Sequence, residues 1–428
     1  MADVDRIETL VRTGPSTVMG DYLRRYWVPV MLESELPKAG CAPVRVKVMG
    51  EALVGFRDED NRIALVQEWC PHRGASLFFG RNEGCGLRCS FHGWMYDVTG
   101  QCIEMPSEPE QSRFKERIQV TAYPCEIRGG IIWTYMGPKE LMPPMPALEW
   151  SLLPGTHRYC SKRLQECNYL QALEGGIDSS HVSFLHRYDL EREPLFMQAK
   201  GNEYLRADTH PKFEVVESPG GLLIGARRNA DNDQYYWRIT QFLLPWFTLI
   251  PPFGDHAMGG HAWVPVDDEN CIVWSVNFHP HRPLNQHEIE GINSGSGIHA
   301  ALIPGSFRTV ANRDNDYLVD RVSQEEKRSF SGIFGVGMQD SALQETIGRL
   351  QDRSREHLGT SDVGIIMARR RLFKAAMAMH EENVQPPALD AESQSVRAAS
   401  ILLPKGQPFA EGAQNVLAAR SDVMVATL

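Results

Sequence analysis

Residues 70–94 read CPHRGASLFFGRNEGCGLRCSFHGW, and the chain is best read outward from them. Cys70 and His72 form one clamp, Cys89 and His92 a second, and sixteen residues, Arg73 to Arg88, separate the two. Each clamp offers one thiolate and one imidazole. Two centres use two of each: a tetrahedral Cys2His2 zinc site, and a [2Fe–2S] cluster in which two Cys hold one iron and two His the other. Zinc fingers place Cys beside Cys and His beside His. The interleaved order here suits a flat cluster between two loops, each loop reaching both irons. Gly74, Gly84, Gly86 and Gly93 let backbone N–H groups approach the sulfides. Phe91 and Trp94 can shield the cluster. Cys85, inside the loop, reads as an unligated thiol.

The flanks have a period of two. Val44, Val46 and Val48 alternate with charge, Ala52–Phe56 and Ile63–Gln67 continue as strands, and Ala122–Arg128 with Ile131–Tyr135 forms a last hairpin. Residues 5–27 read as helix in pieces, broken at Gly14-Pro15. Gly137 to Gly155 carries five prolines and reads as a linker. Beyond it, strand-like runs at Phe213–Glu217, Leu222–Ala226, Tyr235–Leu243, His261–Pro265 and Ile272–Phe278 predict an antiparallel sheet. Gln339 to about Leu358 and Val363 to about His380 predict helices. The tail to Leu428 reads as a packing arm.

A second constellation follows the linker in CNYLQALEGGIDSSHVSFLH, residues 167–186. On a helix, Glu174, Asp178 and His181 fall at i, i+4 and i+7 and share a face. His186 lies five positions beyond His181, about 140° around an ideal helix. Both imidazoles reach one metal only if the helix ends or distorts between them. Two imidazoles and a carboxylate on one side of Fe(II) form a facial triad with positions open for O2 and substrate.

The totals exclude some classes. The chain has 428 residues, 42% apolar and 23% charged, which fits a globular protein of two or three domains. A net charge of −10 disfavours nucleic acid and anionic membranes as partners. No apolar run approaches the roughly 20 residues of a membrane span. The start, MADVDRIETL, does not read as a signal peptide. Nine Cys with no disulfide framework predict free thiols and a cytoplasmic location.

The C-x-H…C-x-x-H pattern resembles the Rieske motif of the Rieske non-heme iron oxygenases. D-x-x-H-x4-H at Asp178–His186 is similar to that family's iron-binding run. The runs RRYWVPV, RDNDYLVDR, GVGMQDSALQE and DRSREHLGTSD resemble its phthalate dioxygenase branch, so the likeness covers most of the chain. The resemblance implies an α+β chain: an N-terminal all-β Rieske [2Fe–2S] domain and a C-terminal helix-grip catalytic domain, an antiparallel sheet with helices. It implies a helical segment over 1–37 packing on the catalytic domain, the Rieske domain over 38–140, and the mononuclear iron domain over 141–428.

The resemblance also implies roles. Cys70, His72, Cys89 and His92 would hold the cluster, and His181 and His186 the Fe(II). Asp178 would bridge an iron His to a cluster His of a neighbouring subunit. Asn168 matches a family Asn near the iron, and Glu174 a family acid. Asp340 matches the branch's third iron ligand. From the residues alone, a helix-cap role for Asp340, or a ligand at Asp314 or Asp316, stays open.

Function follows as expectation. The chain would be the oxygenase component of an aromatic ring-hydroxylating system with O2 as cosubstrate. The leading reaction is cis-dihydroxylation of an aromatic carboxylate of phthalate type. The alternative is O- or N-dealkylation or aryl-ether cleavage. No G-x-G-x-x-G follows a strand, so nicotinamide oxidation falls to a separate flavin and ferredoxin-type reductase. A homotrimer or stacked hexamer is implied by the resemblance. A carboxylate substrate calls for a buried Arg; Arg206 and Arg238 are the candidates, and Phe242, Trp246, Phe247, Ile250 and Phe253 either line the pocket or pack the core. The rivals are a Rieske electron carrier without catalysis and a zinc-stabilised binding module. The His181, His186 and Asp340 set separates the first reading from the electron carrier, which has no need of it; the zinc module should be colourless.

Overall fold

The computed structural model describes residues 3–192, 196, 199–426 and 428, in two compact units. Thr13–Pro143 forms the first. Met1–Arg12 and Pro144–Leu428 form the second.

The alternating runs of the first unit build a six-stranded antiparallel sheet. Its order is Trp27–Leu32, Ile131–Tyr135, Ala122–Arg128, Ile63–Gln67, Glu51–Arg57 and Val44–Val48. A four-stranded sheet, Arg81–Glu83, Gly86–Arg88, Met95–Asp97 and Cys102–Glu104, carries the second clamp in its middle turn. Val54, Phe56, Val66, Leu77, Leu87 and Tyr96 are buried in one core with Cys70 and Cys89.

The expected 1–37 segment divides. The helix Asp3–Val11 packs on the helices Tyr169–Ile177 and Val363–Glu382 of its own unit. Trp27–Leu32 is instead a strand, paired with Ile131–Tyr135 from Trp27↔Tyr135 to Leu32↔Ile131. Its apolar WVPVML run is buried almost throughout and so shows no alternation.

The second unit is an antiparallel sheet in the order Arg158–Gln165, Cys271–Phe278, Met258–Pro265, Phe247–Ile250, Gln234–Leu243, Gly221–Asn229 and Lys212–Ser218. The five expected strands are all present; the short Phe247–Ile250 was not foreseen. The helix Val363–Glu382 lies on the strands Lys212–Ser218 and Gly221–Asn229. The helix Val336–Thr346 packs on Tyr169–Ile177. It stops well short of Leu358, at a turn containing Gly348 with φ +119°. The tail supplies one more strand, Ala399–Pro404, along Gln234–Ile239. Among the described residues no helix is long and apolar enough to cross a membrane.

Candidate functional site

The two clamps are the same turn built twice. Cys70 N–H donates to Ala75 O at 2.9 Å, and Cys89 N–H to Trp94 O at 2.8 Å. Gly74 N–H returns to Cys70 O at 2.9 Å, and Gly93 N–H to Cys89 O at 3.0 Å. Both glycines sit at positive φ, +75° and +77°, where a side chain is strained. The His72 and His92 rings are brought 4.4 Å apart, and His72 stacks on Trp94 at 4.4 Å. Burial pushes the Cys70 thiol up, and the neighbouring Cys89 thiol adds to the shift. Tyr96 O–H lies 3.1 Å from Cys70 Sγ. His92 Nδ1 is buried with no protein partner. Paired thiols, paired imidazoles and an unsatisfied ring nitrogen fit a [2Fe–2S] cluster, one iron to each pair. Trp94 is buried, whereas Phe91 is 56% exposed and leaves one flank open. Cys85 is exposed.

The second constellation begins on the helix Tyr169–Ile177. Asn168 caps it, accepting from Leu170 N–H at 3.0 Å, while its Nδ2 donates to Val11 O and Asp268 O. Asn168 therefore does not reach the metal site; its amide is committed to capping and to the N-terminal helix. Gly176 packs against Trp263 so closely that a Cβ would lie 2.1 Å from the indole. The helix ends at Ile177. Asp178 turns extended, its Oδ1 accepting from Ser180 N–H at 2.7 Å.

The helical-face reading of Glu174 with Asp178 is corrected by that ending. Glu174 stays on the helix and faces Arg353 and Arg369, with contacts of 2.8 Å and 2.7 Å, in a largely buried ion cluster with Glu356. It braces the helix and is not at the metal site.

The break after Ile177 delivers both imidazoles. Phe184 and Leu185 N–H fold back on His181 O, and the His181 and His186 rings meet at 5.0 Å. Asp340, on the helix Val336–Thr346, places Oδ1 3.1 Å from His186 Nε2 and 3.5 Å from His181 Nε2. One ligand atom from each of the three residues lies within 4.8 Å of the others. Asp314 instead pairs with Arg308 at 2.6 Å and is 71% exposed in its side chain. The distal nitrogens are occupied: His181 Nδ1 by Asp178 Oδ2 at 3.1 Å, His186 Nδ1 by Gln339 Oε1 at 2.8 Å. Gln339 was missed by sequence reasoning; its place beside Asp340 in the chain was the only signal.

The electrostatics call for a cation. Burial raises the Asp340 carboxyl, yet the imidazoles of His186 and His181 hold it below its ordinary value. Burial opposes charge on His181, but Asp178 and Asp340 outweigh it and push the imidazole up to about 9. No Lys or Arg pairs with either carboxylate among the described residues. Two imidazoles and one carboxylate, with a second carboxylate behind, fit a divalent iron.

A cavity of roughly 1180 Å³, mouth included, opens beside the triad. Ile250, Phe253, Trp263 and Ile298 give it apolar walls. Phe242, Trp246 and Phe247 do not line it and pack in the core. Arg238 lines it and is 2% exposed. Its Nη2 donates to Pro251 O at 3.2 Å, and its guanidinium lies over Phe253 at 4.1 Å. Its Nε and Nη1 have no partner among the described residues. Arg228 shares its face of the sheet, since Ala226 pairs with Arg238 and Arg228 with Tyr236. Burial first, and Arg238 next, lower Arg228 to about 10. Arg206 is corrected: it lies in a surface groove, hydrogen-bonded to Glu191 and Asn202 O.

The comparisons agree with this geometry. Residues 26–124 match the family model for the Rieske [2Fe-2S] domain, and residues 134–418 match the model described as LigXa C-terminal domain like. The chain is 34% identical over 416 residues to a 3-chlorobenzoate-3,4-dioxygenase oxygenase subunit of Comamonas testosteroni, covering 93% of this chain and 94% of that one. It is 35% identical to a phthalate 4,5-dioxygenase oxygenase subunit of Pseudomonas putida, covering 86% and 85%. The crystal structure of dicamba monooxygenase bound to dicamba shares the fold, with a TM-score of 0.58 at 18% identity over 84% of this chain and 99% of that one. With a cluster-bearing β unit, a sheet unit that gathers two imidazoles and a carboxylate, and family models over both, this chain belongs to the Rieske aromatic ring-hydroxylating oxygenases of the phthalate and chlorobenzoate branch, enzymes that use a [2Fe–2S] cluster and a mononuclear iron.

Proposed function

We propose that this oxygenase acts on an aromatic carboxylate, adding both atoms of O2 as a cis-diol. The observation that carries the reading is Arg238: a buried guanidinium on the cavity wall with two unpartnered N–H groups. A buried cation without an anion is costly. A substrate carboxylate offsets that cost and gains a forked hydrogen bond. Arg228, behind it without a paired carboxylate, adds to the demand for an anion. Phe253, stacked on Arg238, gives the ring of the substrate an apolar face.

The residues divide the remaining work. Cys70, His72, Cys89 and His92 would hold the cluster, and His181, His186 and Asp340 the iron. When bound, the cluster supplies electrons one at a time and the iron activates O2 beside the substrate. Asp178 holds the His181 ring with Nε2 turned to the metal, and in a trimer or stacked hexamer it would meet a cluster His of a neighbouring subunit. A separate flavin and ferredoxin-type reductase brings the electrons. The domain limits we assign are those of the two compact units, with residues 1–12 joined to the iron domain.

With Cys70 as a cluster-bound thiolate, the Tyr96 hydroxyl 3.1 Å away would donate to its Sγ and withdraw charge from it. Tyr96→Phe is expected to shift the cluster midpoint potential negative. A hydrogen bond to a charged group contributes about 1.5–3 kcal/mol, and a difference of about 1 kcal/mol between oxidation states is about 40 mV for one electron. A redox titration followed by visible or EPR spectra reads the shift; an unchanged potential would remove Tyr96 from the tuning role.

The test of the whole reading is O2 uptake with a surrogate reductase and NADH, offering benzoates, phthalates and aryl ethers, with products identified by mass. A benzoate or phthalate that gains two oxygens and two hydrogens supports dihydroxylation. Loss of an alkyl or aryl fragment instead would make this a dealkylating or ether-cleaving oxygenase.

A further inference from the structure

The two imidazoles proposed as iron ligands are held from behind by unlike groups. His181 has a carboxylate, Asp178, while His186 has a neutral amide, Gln339. Gln339 is fully buried. Its Nε2 is 2.9 Å from Ile333 O and 3.0 Å from Asp189 Oδ2. A backbone carbonyl only accepts, so the amide end facing Ile333 is the N–H2 end. The end facing His186 is then the oxygen, which also only accepts. His186 Nδ1 must therefore carry a proton, so that in the neutral ring Nε2, on the side of Asp340, is the nitrogen with the lone pair.

The amide is fixed at both ends. Asp189 begins the turn that closes on His186 O at 3.0 Å, so it moves with His186. Gln339 precedes Asp340 on one helix, whose first turn is tied to the sheet where Arg163 reaches Gly337 O. A single dipeptide, Gln339-Asp340, therefore supplies one ligand and sets the tautomer and ring orientation of another.

We propose that Gln339 is the positioning residue for His186, selecting its Nδ1–H tautomer and so presetting the triad for a divalent metal. This rests on the assignment of the iron to His181, His186 and Asp340. Outer groups of this kind typically change metal affinity by about 10–100-fold when removed.

The test uses the full-length protein with its cluster intact, stripped of mononuclear iron and titrated with Co(II), whose visible spectrum reports coordination. Gln339→Leu is expected to weaken Co(II) binding by about 10–100-fold and alter its spectrum, with the cluster spectrum unchanged. Wild-type affinity and spectrum in Gln339→Leu would overturn the proposal. If that variant does not accumulate, Gln339→Met, which also removes the acceptor oxygen, decides, since wild-type affinity and spectrum there overturn it equally. His186→Ala separates the two levels. If His186→Ala binds Co(II) normally, the metal assignment itself is wrong. If it loses Co(II) while Gln339→Leu does not, only the role of Gln339 fails.

Discussion

Asp340→Ala is expected to lose its mononuclear iron and nearly all product formation while keeping a normal cluster spectrum. Among the described residues Asp340 is the carboxylate placed between the Nε2 atoms of His181 and His186, at 3.5 and 3.1 Å. Without it, two neutral imidazoles remain as ligands, and the charge that favours a divalent ion is halved. Asp178 does not substitute, because its free oxygen is held by Ser180 N–H and its other oxygen by His181. The fall in turnover should be at least about 10³-fold, or about 4 kcal/mol of barrier. Metal analysis beside the visible spectrum checks it. The variant retaining one mononuclear iron per chain with turnover would move the third ligand elsewhere. The clamps are in a separate compact unit, so their spectrum serves as an internal control for folding.

Arg238→Met carries the second large effect, and it falls on substrate rather than metal. Removing one partner of a buried charge pair costs about 2–5 kcal/mol, which is about thirty-fold to several thousand-fold in kcat/KM for a carboxylate substrate. Most of it should enter through KM, since the carboxylate is held alike in ground and transition states. Stability should move the opposite way. Among the described residues the guanidinium has no ion pair, and its buried Nε and Nη1 have no partners, so Met of similar length is expected to leave the substrate-free protein equally or more stable. Thermal melts with and without substrate give both answers at once: the variant should keep its melting temperature and lose the substrate-induced rise. An unchanged KM with a lowered melting temperature would make Arg238 part of the framework only.

The chemistry-bearing residues were legible where spacing carries the chemistry. The clamps need only short loops with glycines at positive φ, and both are local. His181 and His186 were legible as a pair that one metal can share only off a continuous helix; the helix does end, but at Ile177, ahead of both residues rather than between them. What was not legible depends on partners far away in the chain. Glu174 looked like an acid on the metal-bearing face. Only the arrival of Arg353 and Arg369, nearly two hundred residues on, shows where it points. Asn168 looked like a residue near the iron, and its amide goes instead to Val11 O and Asp268 O. Arg206 and Arg238 were equal on paper. A strand buried on both faces holds Arg238 inside, and a short surface helix leaves Arg206 outside. Trp27–Leu32 was read as the end of a helical segment because a fully buried strand lacks alternation.

The strand Gln234–Leu243 pairs along its full length on one edge, but Phe247–Ile250 covers only Gln241–Leu243 on the other. The rest of that edge is closed by Ala399–Pro404, with Ser400 opposite Arg238. Ser400 O–H also reaches Pro252 O at 2.6 Å, next to the carbonyl that Arg238 holds. The strand Ala399–Pro404 thus acts as a clasp on the strand that carries Arg238, the proposed substrate-binding residue. Selectivity in this chain is accordingly open to change through residues 399–404, far in sequence from the proposed iron ligands.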